Sequence, residues 1–322
     1  MKQTVLRRSG LQVSCIAFGA WQLGGDWGPT DERAAVAAIR RAADGGLTLF
    51  DTAQAYGFGA SEQLLAKALE PHRHDDLVVA TKGGLRSEGG GVVRDSSPEA
   101  IRSGVEESLK ALGREAIDLY QVHWPDPSTP LDVTAATLAD LVGEGKIRHV
   151  GVSNYDAKEM ASFNAVLPVE TLQPPYSLFR RDIEHEILPY TSENDIGVLV
   201  YGPLAHGLLS GGMDAGYAFD SRDWRRSSSL FRGEPFQRNL EVVPGLETYA
   251  STEFGVTVSQ LAIAWTLAHP AVDVAIVGTR NAEHVDDALE AADLELDRKA
   301  LAHIDDLTSG AVPVSGPSPE TV

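Results

Sequence analysis

The sequence predicts an α/β fold: a (β/α)8 TIM barrel with an N-terminal β-hairpin and one long loop covering its mouth. Eight short apolar runs alternate with amphipathic stretches between residue 16 and about residue 289, the pattern of strand–helix units around a parallel sheet. Several of the runs are almost uninterruptedly apolar, as strands covered on both faces must be. No Gly-x-Gly-x-x-Gly follows the first run, so an open doubly wound sheet lacks its usual signature.

Residues 6–13, around Ser9-Gly10, predict a hairpin plugging the barrel's N-terminal end. Strands are expected over 16–18, 47–51, 77–82, 117–123, 147–153, 170–173, 198–201 and 274–277. The stretches between them carry helix ends. Ser97 is placed as an N-cap before Pro98 and Glu99, with Ile101, Val105 and Leu112 on one face and Gly113 as the stop. Thr257-Val258-Ser259-Gln260 matches a capping box ahead of Leu261, Trp265 and Ala268. Residues 211–240 are too long for a simple connection and hold Arg222, Trp224, Arg225, Arg226, Phe231, Phe236 and Arg238. A loop of that length inside a compact domain usually has a function, and this composition predicts a lid. One domain is expected over 1–308, followed by a mobile Ser-, Pro- and Gly-rich tail at 309–322.

The chain has 322 residues, 43% of them hydrophobic, and a formal net charge of −19. That charge argues against nucleic acid as a partner, since phosphate backbones need clustered Lys and Arg. The single cysteine, Cys15, excludes an intramolecular disulfide and a multi-Cys metal site, and its apolar surroundings predict a small buried hydrophobe. No metal is expected. The basic start of the chain lacks the apolar segment of a signal peptide. The most apolar later stretch, 196–209, is interrupted by Gly197, Gly202, Pro203 and Gly207 and is too short to span a bilayer. A cytoplasmic protein that does not bind membranes is expected.

Chemistry concentrates at the strand ends. Asp51, Lys82 and His123 each close a predicted strand, and Tyr56 follows Asp51 by five residues. The C-terminal ends of barrel strands face one common mouth, so four residues spread over the sequence are brought together. A tyrosine ordinarily ionises near pH ~10; a nearby ammonium stabilises its anion, and a carboxylate holds the ammonium in place. Tyr56, Lys82 and Asp51 form such a relay, with His123 available to a carbonyl oxygen. Singly, Asp51 reads as a loop cap and His123 as a core histidine, but a lysine closing an apolar strand requires a partner for its charge.

These segments resemble the aldo-keto reductase family, and within it bacterial members of general stress protein type. The similarity is carried by Phe50-Asp51-Thr52-Ala53-Gln54-Ala55-Tyr56-Gly57, Thr81-Lys82, Asp118-Leu119-Tyr120-Gln121-Val122-His123-Trp124-Pro125, Gly151-Val152-Ser153-Asn154-Tyr155, Gln173 with Tyr176-Ser177-Leu178, and Tyr201-Gly202-Pro203-Leu204. It runs over about residues 3–310.

The resemblance implies an oxidoreductase that reduces aldehydes or ketones by hydride transfer from NADPH, with NAD(H) as the alternative cofactor. Tyr56 is then the proton donor, Asp51 and Lys82 its tuning pair, and His123 the group that orients the carbonyl. Ser153, Asn154 and Gln173 match positions holding the nicotinamide carboxamide, and Tyr201 the aromatic stacked on that ring. Gly202, Leu204 and Gly207 run beside the pyrophosphate. Trp21, Phe58 and Trp124 line the substrate pocket, Trp21 also touching cofactor. The adenosine end departs from the family pattern. Ile276-Val277-Gly278-Thr279-Arg280-Asn281 replaces the Ile-Pro-Lys-Ser-type segment of many members, with Val277 where Pro is usual and the Lys absent, leaving Gly278, Thr279 and Arg280 beside the cofactor and Arg280 to meet the 2′-phosphate. The expected partner is a small-molecule carbonyl substrate, and the expected state is a monomer. Two other functions compete: a Schiff-base aldolase acting through Lys82, and a regulatory or interaction subunit of the same fold with little turnover.

Overall fold

Eight parallel strands close into a barrel in the computed structural model, which describes residues 1–72 and 76–314. Two strands precede it, β1 (Gln3–Leu6) and β2 (Leu11–Ser14), paired as an antiparallel hairpin. Then come β3 (Ile16–Gly19), α1 (Glu32–Asp44), β4 (Leu49–Asp51), α2 (Ala60–Leu69) and β5 (Val78–Gly83). A second hairpin, β6 (Leu85–Glu88) and β7 (Gly91–Arg94), leads into α3 (Pro98–Leu112) and β8 (Ile117–Val122). Next are α4 (Leu131–Gly143), β9 (Ile147–Ser153), α5 (Ala157–Asn164), β10 (Thr171–Gln173), α6 (Ile187–Glu193) and β11 (Gly197–Tyr201). The chain continues through α7 (Gly233–Tyr249), α8 (Val258–Leu267), β12 (Val274–Gly278), α9 (Ala282–Ala291) and α10 (Arg298–Thr308). The barrel runs β3-β4-β5-β8-β9-β10-β11-β12 and closes through β12 against β3.

The first hairpin plugs the barrel floor. Leu6 and Val13 are fully buried among the inward residues Ala17, Leu49, Ala80, Leu119, Leu199 and Val274. Burying two such side chains is worth about 1.5–3 kcal/mol each. The plug also explains Gly197: a Cβ there would lie 3.3 Å from the Leu6 Cβ.

Helix ends follow the sequence. Ser97 accepts from the Ala100 amide, and Gly113 ends α3 at φ 63°. Thr257 and Gln260 form the reciprocal bonds of a capping box, at 3.2 and 2.8 Å. The fourth strand segment of the chain starts later than its apolar run, at Leu49, because the Leu47 amide is taken by the Ala42 carbonyl at the end of α1. The hairpin β6–β7 was not foreseen; its tip, Gly89-Gly90-Gly91, was its only sequence mark. The long loop is shorter than its composition suggests. Residues 233–240 belong to α7, whose Phe236 and Asn239 are buried.

The sequence predicts a mobile tail from residue 309, yet its first part is bonded. Asn239 exchanges two hydrogen bonds with Val312, at 2.7 and 3.1 Å, and the Val314 amide donates to the Phe179 carbonyl at 2.6 Å. Residues 315–322 of that tail lie outside the described residues.

Glu62 in α2 is fully buried and accepts the Thr81 hydroxyl at 2.7 Å. Burial pushes its carboxyl above the usual range, with the Thr81 hydroxyl a smaller opposing influence. A carboxyl raised in the fold contributes stability that is complete below its unfolded value, about 4.3, and that is lost as pH rises through the folded value. Glu62→Gln keeps the acceptor and removes the charge. The variant should therefore melt above the parent at pH 7–8 (roughly the range past that transition), the gain vanishing near pH ~4. Melting curves across that range decide it. A deficit equal at every pH would show that shape, and not charge, governs the position.

Candidate active site

Asp51 ends β4, Lys82 is the penultimate residue of β5, and His123 follows β8 directly. All three therefore reach the same rim of the barrel. Tyr56 is delivered by the loop after β4. There Gly57, Phe58 and Gly59 all take positive φ, at 69°, 47° and 95°, turning the chain sharply into α2. Glycine accepts this at little cost, whereas Phe58 in the left-handed region costs about 1–2 kcal/mol. Gly24 completes the setting, because a Cβ there would lie 2.7 Å from the Tyr56 backbone.

The Lys82 ammonium is almost completely enclosed, its side chain 1% exposed. It donates to Asp51 Oδ2 at 2.7 Å, to the Thr52 carbonyl at 3.0 Å and to the Tyr56 hydroxyl at 3.2 Å. An ammonium has three N–H bonds, and each has a partner here. The other Asp51 oxygen accepts from Gln173 Nε2 at 2.8 Å and lies 3.5 Å from Gln121 Nε2. The His123 ring stands edge-on to Tyr56, centroids 5.7 Å apart at 81°. The four residues expected to act together are thus gathered in one place.

Ser153 and Asn154 serve one layer further back. The Ser153 hydroxyl donates to the Gln173 carbonyl at 2.8 Å. Asn154, at φ 63°, donates to the His123 carbonyl at 3.1 Å and accepts the Tyr201 hydroxyl at 2.9 Å. Neither caps the following helix. That task belongs to Asp156, whose capping box with Glu159 has two bonds of 2.8 Å.

From this centre a cavity of about 580 Å³ runs outward across the rim. Trp21, Asp51, Tyr56, Gln173 and Tyr201 line one part; Gly202, Leu204 and Gly207 belong to the wall, as do Gly278, Thr279 and Arg280. Ser153 and Asn154 are not in the lining, nor are Phe58 and Trp124. Phe58 is 46% exposed. Trp124 is buried, because the unforeseen hairpin sets the Arg94 guanidinium over its ring at 4.8 Å. The two tryptophans proposed for the pocket thus differ: Trp21 faces the cavity and Trp124 does not.

The long loop roofs the cavity. The Trp224 amide donates to the Asp26 carbonyl at 3.0 Å, and Trp27 bridges Asp223. Trp224 stacks on Trp21 at 5.5 Å, while Trp27 and His206 pack edge-on around them. Aromatic pairs of this kind are worth about 0.5–1.5 kcal/mol each beyond area burial. Arg225 is buried with Asp223, Nη2 to Oδ2 2.6 Å, and donates to the His206 carbonyl at 3.0 Å. At the far end Arg280 donates to the Pro29 carbonyl at 3.0 Å. Trp27, His206 and Gln121 were missed from sequence. Only Gln121 carried a signal, a polar residue inside an apolar strand.

The roof makes a prediction about entry. A ligand filling the cavity should protect the loop from trypsin at Arg222, Arg225 and Arg226 and add a slow step to its binding transients. Equal cleavage with and without saturating NADPH would count against a lid and favour a permanently open loop.

The site belongs to a chain with clear relatives. The aldo/keto reductase family model matches residues 15–309. The chain is 42% identical over 282 residues to the aldo-keto reductase YhdN of Bacillus subtilis, covering 87% of this chain and 85% of that one. It is 33% identical to the aldo-keto reductase yakc [NADP(+)] of Schizosaccharomyces pombe, covering 91% and 87%. Among solved structures, the glycerol dehydrogenase AKR11B4 from Gluconobacter oxydans superposes with a TM-score of 0.86 at 38% identity, covering 97% and 96%. The holo form of the aldo-keto reductase AKR11C1 from Bacillus halodurans gives 0.80 at 29% identity, covering 97% and 98%.

Proposed function

The chain belongs to the aldo/keto reductase family, and on that premise we propose that it is an NADP(H)-dependent reductase of aldehydes or ketones with Tyr56 as proton donor. We read residues 1–308 as a single catalytic domain. One observation carries the proposal: the buried Lys82 ammonium bridges Asp51 and the Tyr56 hydroxyl, at 2.7 and 3.2 Å.

The cavity suits a dinucleotide. Its volume, about 580 Å³, falls in the range of small-molecule sites. Gly202 and Gly207, at φ 69° and 103°, expose backbone to a passing pyrophosphate. Tyr201 and Gln173 would meet the nicotinamide, and Arg280 the adenosine phosphate. Bound NADPH supplies a hydride to the carbonyl carbon.

The remaining work falls to the side chains. The Tyr56 hydroxyl passes its proton to the carbonyl oxygen, so hydride and proton together complete the alcohol. The Lys82 ammonium stabilises the negative charge that gathers on the phenol oxygen as that proton leaves. Asp51 holds the ammonium in place, Nζ to Oδ2 2.7 Å. His123, edge-on to Tyr56, orients the carbonyl, and the roof keeps water away.

The same geometry disfavours a Schiff-base aldolase. Its nucleophile would be a neutral amine with a free lone pair, whereas Lys82 donates to three acceptors beside a carboxylate. The reductase is tested by presenting aldehydes, ketones and sugars with NADPH or NADH and following the reduced nicotinamide absorbance. Failure of every carbonyl with both cofactors, despite tight NADPH binding, would point to an interaction subunit instead.

A further inference from the structure

Gln121 lies inside the barrel, fully buried, on the strand next to Lys82. Gly151 leaves it room: a Cβ there would lie 3.0 Å from the Gln121 Cγ. Its Nε2 is 3.5 Å from Asp51 Oδ1, and its Oε1 accepts from Gln173 Nε2 at 3.4 Å. Gln173 Nε2 also donates to Asp51 Oδ1 at 2.8 Å.

Asp51 Oδ1 and Gln121 Oε1 together hold the Gln173 amide with its nitrogen inward. Turning Gln173 over would set its oxygen 2.8 Å from a carboxylate oxygen, acceptor against acceptor; turning Gln121 over repeats the conflict. In the observed orientation both hydrogens of Gln173 Nε2 are used, one on Asp51 and one on Gln121. Gln173, which lines the cavity, is left with its oxygen alone to offer a ligand.

We propose that Gln121 is a specificity-determining positioning residue. With Asp51 it holds Gln173 Nε2 inward, so that Gln173 meets a ligand as an acceptor and thereby selects a cofactor whose ring carries an N–H donor. This rests on the placement of the nicotinamide beside Gln173 proposed above. A nicotinamide carboxamide has that donor. The nicotinic acid form of the same dinucleotide presents only carboxylate oxygens, which meet the Gln173 oxygen unfavourably.

The test is fluorescence titration of the protein with NADP+ and with nicotinic acid adenine dinucleotide phosphate, needing no turnover. The parent protein should prefer the amide by about tenfold or more, the effect of one mismatched buried polar contact. Gln121→Met keeps the length and apolar bulk but removes one of the two acceptors that hold Gln173 Nε2 inward, so Gln173 can turn and the preference should fall to a few-fold. A second variant, Gln121→Leu, should do the same, with melting curves reporting the fold of each. Equal affinity of the parent for the two dinucleotides would overturn the orientation of Gln173. Full discrimination in both folded variants would reduce Gln121 to packing. Absence of NADP+ binding altogether would instead remove the cofactor assignment on which the proposal stands.

Discussion

Tyr56→Phe should bind NADPH almost normally and lose carbonyl reduction by roughly 10²–10⁴-fold, the usual worth of a general acid. The substitution removes one oxygen from a ring that is 5% exposed and packed against His123, so the fold should persist. Steady-state rates alongside NADPH titration check this, and more than about a tenth of the parental turnover would remove Tyr56 as donor. Lys82→Met should be comparably damaging to rate, with an added cost that Tyr56→Phe lacks. It leaves Asp51 buried without its cation, and breaking a buried pair costs about 3–5 kcal/mol. Melting temperature and circular dichroism should therefore be read with the rate. A large fall in stability with an unchanged rate would make Lys82 a structural ion pair.

The second large effect concerns cofactor choice. Arg280 lines the outer end of the cavity and donates to the Pro29 carbonyl at 3.0 Å. A 2′-phosphate offers that guanidinium a charged acceptor in place of a neutral one, a contact worth about 1.5–3 kcal/mol. The N-terminus of α9, capped by Asn281, adds a field favourable to an anion. Arg280→Ala should weaken NADPH by roughly ten- to hundred-fold and leave NADH nearly unchanged. Equal weakening of both would assign Arg280 to its hydrogen bond with the Pro29 carbonyl and not to the phosphate.

Both predictions use residues visible in the sequence, whereas much around them was not. The Trp21, Trp27, Trp224 and His206 cluster joins three distant segments through ring contacts. Nothing in the spacing of aromatic residues foretells such meetings. Phe58 and Trp124 were expected at the pocket from the family resemblance; neither lines the cavity, a left-handed turn exposing one and Arg94 covering the other.

The sequence by itself determined the barrel and the meeting of Asp51, Tyr56, Lys82 and His123 at its rim, because strand alternation is local and a parallel barrel carries every strand end to one rim. It also determined helix ends such as Ser97 and the Thr257–Gln260 box, whose hydrogen bonds span only three residues. The tertiary structure alone decided who partners whom across that rim. Asp51 divides its two oxygens between Lys82 and Gln173, and Gln121 joins from a fourth strand. Those choices depend on ångström-scale register between strands distant in sequence, and on which buried polar atom can find no other partner.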